Sequence, residues 1–271
     1  MDLRTTLPLR TGREMPVLGL GTWELKHDTA GTIRHALQLG YPMIDTSGDY
    51  GTQPGIGKGI AAAQITRTSF YLVTKVEETD DAYQATQKNL AELGLDHANL
   101  MLIHRPPKDG VGEELWRGLM RARDDGLTKD IGVSNYSVAQ LRQLIQQTGE
   151  VPVVNQIEWT PFGHSQHMLT YCQDHGIIIQ AYSSLTRGER LDDDTVQRIA
   201  SVHGKTPAQV LIRWNLQLGT VPIVKANRPE HLEQNLDVFN FELTAADMQQ
   251  LNHLNESWSA LGDAPKYLQP A

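Results

Sequence analysis

One recurrence constrains the fold of this chain more than any other feature. Eight short apolar, β-branched runs each lead through a turn into an amphipathic stretch. They begin near Val17, Met43, Phe70, Leu100, Ile131, Val153, Ile177 and Val221. Most are separated by roughly 22–31 residues, the size of one strand–helix unit, and the interval after Ile177 is longer. FYLVTKV, LMLIH, VPVVNQI and GIIIQAY lack clean alternation, which fits parallel strands buried on both faces.

The stretches between the runs read as helices. Asp80–Leu93 carries Ala82, Ala85, Leu90 and Leu93 near helical spacing and stops at Gly94. Ser137 with Gln140 forms a capping-box pattern ahead of Leu141, Leu144 and Ile145. Thr206-Pro207 puts proline at a first helical position before Val210, Leu211 and Trp214. Thr244–Leu254 is one more helix, and the tail beyond it carries Trp258, Leu261 and Tyr267. The pattern predicts an α/β fold, a (β/α)8 TIM barrel, with residues 1–271 as a single domain. A doubly wound open sheet is the alternative; eight similar units without a second composition zone favour closure. At the start, LPLRTGREMPVL reads as two short strands around Thr11-Gly12, a hairpin capping the barrel bottom.

Composition narrows the function classes. With 271 residues, 39% hydrophobic and 21% charged, the chain suits a soluble globular protein with a sizeable core. Its net charge of −8 argues against a general nucleic-acid binder, which needs a basic footprint. No stretch approaches the ~20 apolar residues of a spanning helix, so no membrane partner is expected. The opening MDLRTTLPLR has no apolar h-region, so no secretory signal is expected. The single thiol, Cys172, cannot form an internal disulfide, which points to a reducing, cytoplasmic location.

In such a barrel the chemistry sits at the C-terminal ends of the strands. The residues that close the runs are Asp45, Lys75, His104, Ser134-Asn135, Asn155-Gln156, Tyr182 and Lys225. A lysine ending a buried strand needs a counter-charge, and Asp45 is the natural partner. On these two residues alone, a structural ion pair remains an open alternative to a functional one. Tyr50 favours function, because it lies in the loop 46–55 on the same face as Asp45. A phenol has a reference pKa near ~10, and a close Lys⁺ is expected to lower it, which would make Tyr50 a proton donor near neutral pH. His104 can hydrogen-bond a carbonyl oxygen in the same mouth.

In chain order, GLGTW, IDTSGDYGTQPGIG, VTK, LIHRP, IGVSNY, VNQIEW and IQAYS resemble the aldo-keto reductases, from about Val17 to Asn235. No single stretch is specific; the ordered set is. The resemblance implies a (β/α)8 barrel that transfers hydride between a nicotinamide cofactor and an aldehyde or ketone, without metal. It matches Asp45, Tyr50, Lys75 and His104 to the family's catalytic tetrad: Tyr50 the proton donor, Lys75 its activator, Asp45 the balance for Lys75, and His104 the group that orients the carbonyl. It matches Ser134, Asn135 and Gln156 to positions holding the cofactor carboxamide, and Tyr182 to the residue stacking on the ring. It also sets Gly21, Thr22, Trp23, Asp45, Ser183, Leu185, Lys225, Ala226, Asn227, Arg228, His231, Gln234 and Asn235 along the cofactor. Trp23, Tyr50, His104 and Arg105 then face the substrate, a small-molecule carbonyl compound. A monomer or weak oligomer is expected. The other function class is a cofactor-binding barrel that serves as a sensor or scaffold; the complete tetrad favours the enzyme.

The chain departs from the family at four points. Arg105 stands where many members have tryptophan, either contacting acidic substrates or paired and turned away. Ala226 replaces a serine hydroxyl, His231 an arginine, and Gln234 a glutamate. Lys225 and Arg228 keep the cationic character of the segment, so NADP(H) is expected to be favoured by a reduced margin, with NAD(H) usable. The loop after His104 and the tail are short, which predicts an open mouth walled by Trp23 and Trp258. Other patterns fail: Gly55–Gly59 lacks Walker spacing, Gly19-Leu20-Gly21 lacks a third Rossmann glycine, and His164 with His167 has no third metal ligand.

Overall fold

The computed structural model describes residues 1–25, 27–262 and 265; Tyr267 lies outside them. The chain opens with an antiparallel hairpin, β1 (Thr6–Pro8) and β2 (Glu14–Pro16), in which Leu7 faces Met15. A closed parallel barrel follows. Its strands are β3 (Gly19–Gly21), β4 (Met43–Asp45), β5 (Tyr71–Val76), β6 (Ala98–Ile103), β7 (Thr128–Ser134), β8 (Val154–Glu158), β9 (Ile178–Tyr182) and β10 (Val221–Val224), and β10 pairs back onto β3. Closure excludes the doubly wound alternative.

Six helices cross between successive strands: α1 (Thr29–Leu39), α2 (Gln53–Ala63), α3 (Ala82–Leu93), α4 (Glu113–Asp124), α5 (Val138–Thr148) and α6 (Gln166–His175). Two helices, α7 (Asp194–His203) and α8 (Pro207–Leu218), fill the crossover from β9 to β10, which accounts for the long interval after Ile177. After β10 come α9 (Pro229–Leu236) and α10 (Ala245–Asn252).

The local signals act as the residues dictate. Ser137 and Thr206 each close a capping box, with Gln140 and Gln209 reaching back. Gly94 ends α3 in the left-handed region, φ 66°. The expected helix start at Asp80 is too early. Asp81 is the N-cap, accepting from the amides of Tyr83 and Gln84, while Asp80 accepts from the amide of Glu77. Thr244 is likewise a cap outside its helix, which ends at Asn252 rather than Leu254.

Alternate residues of each strand point inward, and this organises the barrel into layers. The lower layers are apolar: Met43, Tyr71, Val73, Leu100, Leu102, Val154, Val221 and Ile223 pack together, with Leu9 and Met15 of the hairpin plugging the bottom. Space there is short. A Cβ on Gly19 would meet Ile223 Cδ1 at 2.6 Å, and one on Gly132 would meet Leu102 Cδ2 at 2.8 Å. At the top of the same series the side chains become polar: Asp45 after Met43, Lys75 after Val73, Ser134 after Gly132, Gln156 after Val154. The alternation thus delivers a polar layer onto a rigid apolar floor.

Candidate active site

Lys75 is fully buried, and its ammonium lies 2.8 Å from Asp45 Oδ1 and 2.7 Å from the Thr46 carbonyl oxygen. Burial works to lower the Lys75 pKa, but Asp45 and then Tyr50 outweigh it, and the net shift is upward. Asp45 Oδ2 accepts from Gln156 Nε2 at 2.7 Å, so both carboxylate oxygens are engaged. Tyr50 ends a short 3₁₀ turn, Gly48–Tyr50, that carries its ring over this pair. Lys75 Nζ sits 5.1 Å from the ring centroid, and the His104 ring meets it edge-on at 5.7 Å. The fold brings all four tetrad residues together.

The expected lowering of the Tyr50 pKa is overturned. Burial raises it, Lys75 pulls it down, Asp45 and Asp49 push it up again, and the net is above the ordinary value. The phenol is therefore protonated at neutral pH, as a donor must be. The Lys75 ammonium is the nearby group that favours the phenolate form.

The cofactor-type residues form a connected rim. Ser134 Oγ donates to the Gln156 carbonyl oxygen at 2.7 Å. Asn135 adopts a left-handed backbone, φ 67°, unusual for a residue other than glycine and characteristic of strained functional positions. Its amide donates to the His104 carbonyl oxygen at 2.9 Å and accepts from the Tyr182 hydroxyl at 2.8 Å. Gln156 donates also to Gln180 Oε1 at 2.9 Å. Both of its amide hydrogens are thus used, so toward a carboxamide Gln156 offers its oxygen. Thr22 Oγ1 donates to the Asp45 carbonyl oxygen, while Gly21 stands where a Cβ would meet Ile223 Cγ2 at 3.1 Å. After β9, Ser183 is again left-handed, Leu185 packs on the core, and Ser184 Oγ is buried without a hydrogen-bond partner among the described residues.

Beyond β10, Lys225, Asn227, Arg228, His231 and Gln234 are exposed, whereas Ala226 and Asn235 are buried. Arg228 is the N-cap of α9 and gives no side-chain cap; Pro229 has no amide hydrogen and the His231 amide donates to the Arg228 carbonyl, which leaves the first-turn amide of Glu230 for an anion, beside Lys225 and Arg228. A left-handed rim, an unpartnered buried hydroxyl and this cationic helix start fit a phosphate-bearing dinucleotide. Trp23 lies between two cations, 4.6 Å from the Arg187 guanidinium and 5.4 Å from Lys225 Nζ. Trp258, expected as a pocket wall, instead packs on Phe162 and beside Arg190.

Arg105 is paired. Its Nη1 donates to Glu77 Oε2 at 3.0 Å, and Asp49 and Glu78 each lie 3.6 Å away. Asp49, Glu77 and His104 bring ligand-type atoms within 4.8 Å of one another, and Arg105 supplies the counter-charge to both carboxylates. His164 lies against Trp159 and Trp214, with Nδ1 on the Thr160 carbonyl, and burial lowers its pKa. It packs as a core side chain. Cys172 is also buried, its thiol pushed up to about 12, which makes it a poor nucleophile.

Sequence reasoning missed the buttress of this site. Asn89 of α3 donates to the Lys75 carbonyl at 2.8 Å and accepts from Gln53, whose own oxygen accepts from Thr74. Ser47 donates to Glu77, which holds His104. Glu77 was legible: it continues the inward series Val73, Lys75, and strand periodicity alone puts it in the mouth.

Comparison with known proteins agrees with this geometry. A family model described as "Aldo/keto reductase family" matches residues 17–256. An aldo-keto reductase of Mycobacterium sp. strain MCS is 38% identical, over 98% of this chain and 96% of its own. One from Mycobacterium tuberculosis H37Rv is 39% identical, over 97% and 95%. Among solved structures, an aldo/keto reductase from Brucella melitensis superposes with TM-score 0.88 at 35% identity, covering 93% of this chain and 99% of that one. A Bombyx mori aldo-keto reductase in complex with NADP gives TM-score 0.89 at 30% identity, covering 98% and 99%. With the tetrad assembled at the mouth of a closed barrel and the match running through nearly the whole chain, the protein belongs to the aldo/keto reductase family.

Proposed function

We propose that this protein reduces small aldehydes and ketones to alcohols, reversibly, with NADP(H) preferred and NAD(H) accepted, and with Tyr50 as general acid. The observation that carries the reading is one ammonium serving two groups: Lys75 is held by Asp45 at 2.8 Å while lying under the Tyr50 ring. A reduced nicotinamide, when bound, supplies hydride to the carbonyl carbon. As the carbonyl π bond breaks, its oxygen takes the Tyr50 proton, and Lys75 stabilises the phenolate left behind. Asp45 keeps Lys75 charged and in place. His104, across the ring from Tyr50, orients the carbonyl oxygen. Asn135, Gln156 and Tyr182 present the oxygen and amide groups that orient the ring, and Lys225 and Arg228 meet the phosphate end.

Tyr50→Phe tests the acid. Turnover of a simple aldehyde should fall about 10²–10⁴-fold, while fluorescence titration shows cofactor binding retained. Near-normal reduction by this variant would refute the role. A barrel serving as sensor or scaffold would bind cofactor without consuming its absorbance when aldehyde is added.

A further inference from the structure

His104 is held from one side. Its Nδ1 lies 2.8 Å and 3.0 Å from the two Glu77 oxygens and 3.3 Å from Ser47 Oγ. Every hydrogen bond its ring makes to the described residues uses that nitrogen. The groups around the ring come from three places. Ser47, Asp49 and Tyr50 belong to the turn after β4, Glu77 follows β5, and Arg105 is on His104's own loop. Asp49 Oδ1 is 3.6 Å from Nδ1; Glu78 joins through Arg105, and Lys75 Nζ lies 5.1 Å from the centroid of the Tyr50 ring.

Burial pushes the Glu77 carboxyl up, but His104, Ser47 and Arg105 together hold it below the ordinary range, so it is ionised. A carboxylate only accepts hydrogen bonds. Ser47 Oγ donates its own hydrogen to Glu77 Oε1 at 3.0 Å. The hydrogen between His104 and Glu77 therefore belongs to Nδ1. A neutral imidazole with Nδ1 protonated carries a lone pair on Nε2, and a carbonyl oxygen is an acceptor too. The two repel unless the ring gains a second proton.

We propose that Glu77 is the positioning residue of His104: it locks the ring proton on Nδ1, so that His104 donates to a carbonyl oxygen only as the imidazolium and accepts from an alcohol hydroxyl as the neutral ring. The proposal rests on the reductase reading and adds to it which form of the ring each direction uses. Reduction draws on the protonated ring, whose charge Glu77 balances; alcohol oxidation draws on the neutral one. Arg105, on the opposite oxygen of Glu77, keeps that carboxylate aimed.

Two measurements on the full-length protein test this. The ¹⁵N resonances of the His104 ring should report Nδ1–H in the neutral form, without any substrate. In Glu77→Gln, kcat/KM for reduction at pH 7.5 should fall roughly tenfold, because the imidazolium loses the carboxylate that balances its charge. Alcohol oxidation, which uses the neutral ring, should lose far less, cofactor affinity should hold within about twofold, and Glu77→Asp should restore part of the loss. A neutral ring protonated on Nε2, or Glu77→Gln reducing carbonyls as well as the unaltered protein, would overturn the proposal. A ring locked on Nδ1 in a protein that reduces no carbonyl would overturn the reductase reading instead and leave the lock standing.

Discussion

Arg105 shows how one side chain's meaning depends on its neighbours. Alone on a loop, an arginine beside His104 invites an anionic substrate. Here three carboxylates already surround it, and its shortest bond is to Glu77. Arg105→Trp should therefore change the kcat/KM ratio of a carboxylated to a neutral aldehyde by less than the roughly tenfold that follows loss of a charge-assisted hydrogen bond. A larger drop, measured with the two aldehydes in competition, would mean that substrate displaces Glu77. His231 is the second informative residue. Exposed in the first turn of α9 near Lys225 and Arg228, it offers a neutral ring one donor where arginine would offer a charged fork. His231→Arg should widen the NADPH-over-NADH ratio of kcat/KM, and Arg228→Ala should narrow or invert it. Equal efficiency with both cofactors and no response to either change would move the reading to NAD(H).

The element that positions Tyr50 is a short turn, and it is braced from α3. A Cβ on Gly48 would come within 2.6 Å of Asn89 Oδ1, and Asn89 also holds the backbone of Lys75. Gly48→Ala should therefore push the turn and α3 apart. We expect kcat to fall about 10–10²-fold, since displacements near 1 Å at a reacting group cost that much, with stability lowered by about 1–3 kcal/mol. Adding Asn89→Ala should recover stability but not kcat, because the support of Lys75 is then lost. Urea unfolding and steady-state assays of the three variants check this. Buttresses of this kind are not readable from the chain: Gln53, Thr74 and Asn89 meet only because helices and strands distant in sequence pack together.

At the scale of the whole molecule, pH acts through opposing groups. The buried Glu158 carboxyl is raised mainly by burial, even though Ser259 Oγ and the Ala260 amide donate to it at 2.5 Å and 2.9 Å. An acid whose folded value is raised contributes stability that is present below its unfolded value and lost as pH rises through the folded one. Glu77, Asp237 and Asp247 are lowered: His104 and Ser47 outweigh burial at Glu77, Lys205 dominates at Asp237, and His203 and Thr244 outweigh burial at Asp247. Their contribution is present above the unfolded values and lost as pH falls through the folded ones. Acidification from neutrality therefore relieves Glu158 as the pH falls toward its raised folded value, while the three lowered acids cost nothing until the pH reaches the ordinary carboxylate range of about 4, and it reduces the repulsion of a chain with net charge −8. His164, whose value burial lowers, works the other way as pH falls through the ordinary histidine range of about 6.5, so the Glu158 contribution is read by difference: on acidification from neutrality the unaltered protein should gain more melting temperature, or lose less, than Glu158→Gln. Identical melting-temperature profiles for the two proteins would exclude a Glu158 contribution.

By itself, the sequence determined the barrel and the identity of its polar layer. Eight apolar runs of nearly constant spacing leave few ways to bury both faces of every strand, and a strand's alternation carries Asp45, Lys75, Ser134 and Gln156 inward wherever the sheet closes. Capping boxes at Ser137 and Thr206 and the left-handed stop at Gly94 were likewise local, because a cap satisfies amides within its own turn. Tertiary structure alone decided the electrostatics. Whether Lys75 lowers the Tyr50 pKa depends on how far the phenol is withdrawn from water, and burial outweighs the lysine. Whether Arg105 serves substrate or partner depends on Asp49 and Glu77, brought to it from two other loops. Spacing along a chain fixes which face a residue takes, but charge and solvation depend on distances through space, and those exist only once the barrel has closed.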